Sequence, residues 1–122
     1  MGTTNKQQLA WAAGLLDGEG CFYSSKDKGR NYPRLKIAQS GSEVPEVLLR
    51  FNTAIGGLGL IRVWARPGKK LPYHLTVHGF DNVQAVMEML WPWLGAIKKE
   101  QARKVLAEYS GKGIKEWPQT LI

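Results

Sequence analysis

Leu9-Ala10-Trp11-Ala12-Ala13-Gly14-Leu15-Leu16-Asp17-Gly18-Glu19-Gly20 reads as a helix that runs into its own glycines. Ala10, Ala13, Gly14 and Asp17 recur at i, i+3, i+4 and i+7, which gathers them on one face. Small residues on such a face let a second helix backbone come very close. Leu9, Ala12 and Leu16 follow another face, suited to a core. The spacing predicts a helix from about Lys6 to Asp17.

The end of that helix is electrostatically unusual. Asp17 and Glu19 stand where unpaired carbonyls and the negative end of the helix dipole gather. A positive group should offset the cost, and a divalent cation held by oxygen ligands is the natural candidate. A glycine-rich helix end leading into a strand, with two solvated acids, accounts for the same letters.

The chain has 122 residues, enough for one domain with a modest core, 1–122, with loose tails over 1–6 and 111–122. Seventeen Lys and Arg face ten Asp and Glu, a net charge of +7. That balance favours a polyanionic partner over a small-molecule substrate. The longest apolar run, Leu90 to Ile97, is broken by Pro92 and Gly95 and falls well short of a membrane span, so no membrane partner is expected. The single cysteine, Cys21, excludes an internal disulfide and a cysteine zinc site. The start, Met1-Gly2-Thr3-Thr4-Asn5-Lys6, has neither a signal-peptide core nor the Ser/Thr of a myristoylation signal, which suggests an intracellular setting.

Outward from the organising helix, two hairpins repeat one pattern. The first pairs about Cys21–Lys26 with Tyr32–Gln39 across Lys28-Gly29-Arg30-Asn31, which carries turn chemistry. The second pairs Leu60–Arg66 with Tyr73–His78 across Pro67-Gly68-Lys69-Lys70. Between them Ser42 can N-cap a helix to about Ile55, with Pro45 in its first turn and Val44, Val47, Leu48 and Phe51 as its apolar stripe. Asp81 can N-cap the next helix, with Val83, Val86, Met87 and Leu90 inward and Pro92 closing it. Ile97 to Tyr109 reads as the last helix. The order α-β-β-α-β-β-α-α predicts an α+β domain with a four-stranded antiparallel sheet.

Charge collects on that sheet. Lys26, Lys28, Arg30, Arg34 and Lys36 belong to the first hairpin, and Arg62, Arg66, Lys69 and Lys70 to the second: nine of the 17 basic residues in two matching places. Period-2 alternation puts Tyr23, Ser25, Tyr32, Trp64, His74 and Thr76 on the same outer face. Arg and Lys pair with phosphates and guanine edges, while aromatics pack on bases or sugars. A solvated, solubilising face explains scattered lysines well, but a solvent-facing Trp64 between two arginines less well.

Ala12-Ala13-Gly14-Leu15-Leu16-Asp17-Gly18-Glu19-Gly20 resembles the signature motif of the LAGLIDADG homing endonucleases. The resemblance extends over about residues 7–109, because the element order also fits that family's αββαββα fold. Ile37-Ala38-Gln39 resembles the strand end that carries an active-site glutamine. Ile97-Lys98-Lys99-Glu100-Gln101-Ala102 resembles the segment that carries an active-site lysine. Glu19 stands where many members have Asp, and either Lys98 or Lys99 could be the lysine.

The resemblance implies a metal-dependent, intron-encoded type of double-stranded DNA endonuclease. Glu19 would bind the metal, with the Gly18 carbonyl nearby, and Gln39 and Lys98 would organise the water around the scissile phosphate. Mg²⁺ is the implied ion, with Ca²⁺ binding but not supporting cleavage. One motif per chain implies a homodimer joined through Ala10, Ala13, Gly14 and Asp17, making a staggered break in a long, nearly palindromic site. The DNA-facing set would be Tyr23, Ser25, Lys28, Arg30, Tyr32, Arg34, Lys36, Arg62, Trp64, Arg66, Lys69, Lys70, His74 and Thr76. A non-cleaving relative that binds intron RNA, or a DNA-binding regulator on the same fold, is the alternative. Intact Asp17 and Glu19 favour the enzyme.

Overall fold

The computed structural model describes residues 5–63 and 71–109. Helix α1 spans Asn5–Glu19, strand β1 Gly20–Asp27 and β2 Arg30–Gly41. Helix α2 spans Glu46–Ala54, followed by β3 (Leu60–Val63) and β4 (Leu71–His78). Helix α3 (Phe80–Leu90) passes through a 3₁₀ turn, Trp91–Trp93, into α4 (Ala96–Ala107). The architecture is the expected α+β one, with a four-stranded antiparallel sheet in the order β1-β2-β4-β3.

Alternation along the strands divides the sheet into two unlike faces. Phe22, Leu35, Ile37, Tyr73, Leu75 and Val77 are buried on one face. The helices cover that face with Ala12, Ala13 and Leu16 from α1, Leu48 and Phe51 from α2, and Val83, Val86, Met87 and Leu90 from α3. Ala102, Val105 and Leu106 of α4 complete the layer. No described helix covers the opposite face.

The first hairpin closes through Lys28 and Gly29, both at positive φ (52° and 78°), as a right-twisted two-residue turn requires. Gly20 sits where α1 turns directly into β1. A Cβ there would stand 2.4 Å from Leu16 Cδ1, 3.0 Å from Ile37 Cγ1 and 3.2 Å from the Lys36 carbonyl oxygen, so glycine eases the close approach of the helix end to the sheet. β1 is an edge strand, and α4 guards it. The Phe22 N–H donates to Gln101 Oε1 at 3.3 Å, and Ser24 Oγ donates to Glu108 Oε2 at 3.4 Å.

Helix boundaries moved for local reasons. α1 continues through Glu19 and already includes Asn5 and Lys6. Ser42 does not cap α2; Pro45 is the N-cap residue at φ −61° and ψ 133°. The proline ring holds Val44 out of the helical region, which cuts Ser42 off from the helix. The apolar stripe shifts with the later start: Leu48, Phe51 and Ile55 are buried, whereas Val44 and Val47 are 38% and 37% exposed. Gly79, at φ 92°, stands at the N-cap of α3 in place of Asp81. Asp81 lies in the first turn instead, where the helix dipole still favours it.

Asn52 splices α2 to β3. Its Nδ2 donates to the Gly59 carbonyl at 3.2 Å, and the Gly59 N–H donates to its Oδ1 at 2.8 Å. The amide thus satisfies both backbone groups of a buried residue. Asn52→Ala leaves both without a partner and should cost about 1–3 kcal/mol, measured by urea denaturation.

Candidate active site and nucleic-acid interface

The acidic end of α1 is held by the chain itself. The Gly95 N–H donates to both oxygens of Asp17, at 3.1 and 3.0 Å. Gly95 is the N-cap residue of α4, so Asp17 meets the positive end of that helix dipole. This corrects the expectation that a cation offsets Asp17: its partner is the start of α4. Asp17 itself remains exposed, with its carboxylate engaged by Gly95 within the subunit.

The small-residue stripe divides in the same way. Ala13 is fully buried beneath α1 and cannot present its side chain to a second copy. Ala10 is half-buried, while Gly14 and Gly18 are exposed, with nothing within 4 Å of an added Cβ at either.

The elements that carry Glu19, Gln39 and Lys98 adjoin this end of α1. Glu19 is exposed in the last turn, two residues beyond the tethered Asp17. Gly20 pairs with Ile37, so β2 runs on past the helix end into Ala38 and Gln39. Gln39 is half-buried opposite Tyr73. Lys98 and Lys99 lie in the first turn of α4, just beyond Gly95. Lys99 Nζ lies over the Trp91 ring at 5.1 Å, with Arg103 on the same ring at 5.0 Å. Among the described residues, no cluster of three or more His, Cys, Asp or Glu side chains could hold a metal ion.

The uncovered sheet face carries the expected cationic set. Register places Tyr23, Ser25, Arg30, Tyr32, Arg34, Lys36, Arg62, His74 and Thr76 on it, with Lys28 at the hairpin tip. Trp64, Arg66, Lys69 and Lys70 lie outside the described residues. Lys36 Nζ sits 5.7 Å from the Tyr23 ring centroid. Tyr32 turns toward the helical layer, edge-on to Tyr109 at 6.2 Å. Arg34, Lys36 and Arg62 form no ion pair with a described residue, so their charge stays available.

One residue on this face was absent from the sequence-derived set. His78 lines a depression of about 280 Å³ together with Tyr23, Lys36, Arg62, His74 and Thr76. Arg34 Nη1 is hydrogen-bonded to His78 Nδ1, and Arg34 Nε donates to Ser25 Oγ at 2.5 Å. Thr76 Oγ1 lies 2.7 Å from His78 Nε2. A guanidinium only donates, so Nδ1 accepts and the ring proton belongs on Nε2, donated to Thr76. The sole signal in the sequence was the alternation His74, Thr76, His78; the register with Arg34 is tertiary.

No family model matches the chain, and no curated protein does either. Solved structures do. The homing endonuclease I-CvuI in complex with its target, in the presence of calcium, is 25% identical at a TM-score of 0.65, covering 84% of this chain and 66% of that one. The LAGLIDADG meganuclease I-AabMI bound to uncleaved DNA is 24% identical at 0.58, covering 81% and 33%. The archaeal intron-encoded homing endonuclease I-Vdi141I complexed with DNA is 17% identical at 0.61, covering 97% and 94%. The α+β architecture described above is the fold of these homing endonucleases.

His78 is held below the usual histidine range by burial first, then by the charges of Arg34 and Arg62. The unfolded chain therefore takes up a proton at higher pH than the folded one. Stability is undiminished above the unfolded value and falls as pH drops below about 6.5 toward the lower folded value. Thermal melts should show this acid-side loss in the wild type and a smaller one in His78→Gln.

Proposed function

We propose that this chain is a sequence-specific, metal-dependent double-stranded DNA endonuclease of the LAGLIDADG homing type, acting as a homodimer. The observation that carries this is an exposed carboxylate, Glu19, at the rim of an uncovered cationic sheet face. The fold shared with endonucleases solved on DNA supports it.

β2 has twelve residues, about 40 Å at ~3.3 Å each, which matches roughly twelve base pairs at ~3.4 Å. Arg30, Arg34, Lys36, Arg62 and Lys28 neutralise phosphates and meet base edges, while His74, Thr76, Ser25 and Tyr23 supply shorter polar and aromatic contacts. Trp64, Arg66, Lys69 and Lys70 belong to the same proposed DNA-contacting set.

Glu19 and the Gly18 carbonyl are oxygen donors suited to a hard cation, and Mg²⁺ characteristically takes only one or two carboxylates beside substrate phosphate and water. Bound there, Mg²⁺ would supply water activation and charge stabilisation for phosphodiester hydrolysis. Gln39 orients water beside the scissile phosphate. Lys98 offsets charge developing on it. We assign this role to Lys98 and not Lys99, because Lys99 is engaged over Trp91.

The exposed strip of Gly14 and Gly18, with Ala10 at its upper end, suits close approach of the same helix from a second copy. That approach brings two Glu19 carboxylates to a two-fold axis and gives a staggered break in a nearly palindromic target. Ca²⁺ would be held by the same residues without supporting the cut.

The test is to incubate purified protein with a randomised duplex library in Mg²⁺, with Ca²⁺ in parallel, and to sequence cut ends. Discrete palindrome-like cuts in Mg²⁺ alone are expected; duplex enrichment with no cut ends in either metal would leave a binding protein and refute the enzyme. Glu19→Gln should lower cleavage by at least about a thousandfold while target affinity stays within about threefold, since only a metal ligand is lost. Gly14→Leu should convert a dimeric sedimentation mass to a monomeric one, because about four added heavy atoms wedge the helices apart; an unchanged mass would place the interface elsewhere.

A further inference from the structure

Arg34 is the one cation on the sheet face that the described residues fix at two points. Ser25 Oγ takes its Nε, and His78 Nδ1 takes one N–H of Nη1. Ser25 comes from β1, Arg34 from β2 and His78 from β4, so three strands converge on one guanidinium. Thr76 then occupies the far nitrogen of the His78 ring. Both ring nitrogens are spent, and His78 has no polar atom left for a base edge. The tip of the Arg34 fork keeps N–H groups for a partner.

We propose that His78 is a positioning residue for DNA readout: by clamping Arg34 with Ser25, it sets the base preference at the position that Arg34 meets. The inference rests on the DNA-binding reading above and adds a specificity determinant to it. A free arginine has four rotatable side-chain bonds and serves phosphates and several base edges about equally well. An arginine held before binding offers one orientation and loses little rotamer freedom on contact. With Nε committed to Ser25, the remaining two-pronged contact is end-on, which fits the O6 and N7 acceptors of a guanine.

The clamp also carries a pH dependence. Arg34 and Lys36 on β2, Arg62 on β3, His74 on β4 and Tyr23 on β1 surround the ring, and among the described residues no carboxylate lines the depression. Protonation removes the acceptor at Nδ1 and sets an imidazolium against a guanidinium. Arg34 is then released from the histidine side, and discrimination falls while total charge rises.

The test is a binding selection from a randomised duplex library without Mg²⁺, run for wild type, Arg34→Ala, His78→Ala, His78→Gln and the Arg34→Ala/His78→Ala double variant. Arg34→Ala should lose preference at one position of each half-site by about tenfold. His78→Ala should lose preference at that same position, to a similar extent, with non-specific duplex affinity within about threefold of wild type. The double variant should lose no more than Arg34→Ala, since the two act as one unit. As pH is lowered beyond the usual histidine range, far enough to protonate His78, the wild type should come to behave like His78→Ala, whereas His78→Gln, which offers an acceptor and a donor but no titration, should keep its preference.

Full preference in His78→Ala, a loss at a different position, or additive losses in the double variant would overturn the proposal. An enriched site with no position sensitive to Arg34→Ala would overturn it while leaving DNA recognition standing. A wild type that enriches no duplex sequence would overturn both.

Discussion

A single backbone amide, that of Gly95, bonded to both oxygens of Asp17, fastens the end of the first helix to the start of the last. Asp17 is unfavourably placed by its own helix, whose carbonyls crowd the same end. The N-terminus of α4 reverses that cost. One hydrogen-bonded carboxylate therefore joins elements 78 positions apart. It also fixes what lies next to it: Glu19 beyond Asp17, and Lys98 one turn into α4. The proposed chemistry depends on those two neighbours more than on Asp17 itself.

The sheet gives the molecule its two sides. Apolar residues at every second position bury one face beneath four helices. The intervening positions carry cations, aromatics and hydroxyls to a face that no described element covers. Lysine and arginine on a fully covered sheet would require burial of unpaired charge, which is far too costly. The same alternation thus builds a core and leaves an electrostatically positive surface. The edge strand β1 is kept from pairing further by Gln101 and Glu108 of α4.

The proposed metal site draws on few side chains. Glu19 is a lone exposed carboxylate, and the described residues bring no second acid or histidine into a cluster with it. Nothing stands within 4 Å of a Cβ added at Gly14 or Gly18, so that side of the helix is open to a close neighbour. Both features suit an arrangement in which a second copy supplies what the first lacks.

The sequence by itself determined the α+β order, the pairing of strands into two hairpins, the outer cationic face and the acidic helix end, because each depends on local periodicity or on residues within one turn. Spacing alone grouped Ala13 with Gly14, although an alanine and a glycine one position apart differ by about 100° around the helix; packing buried the first and exposed the second. Ser42 and Asp81 are good capping residues, yet Pro45 and Gly79 took those positions through backbone geometry. The partner of Asp17, the engagement of Lys99 by Trp91, and the clamp of Ser25, His78 and Thr76 around Arg34 were decided only by tertiary structure. Each of these joins residues brought together by strand register or helix docking, which a reading of neighbours along the chain does not contain.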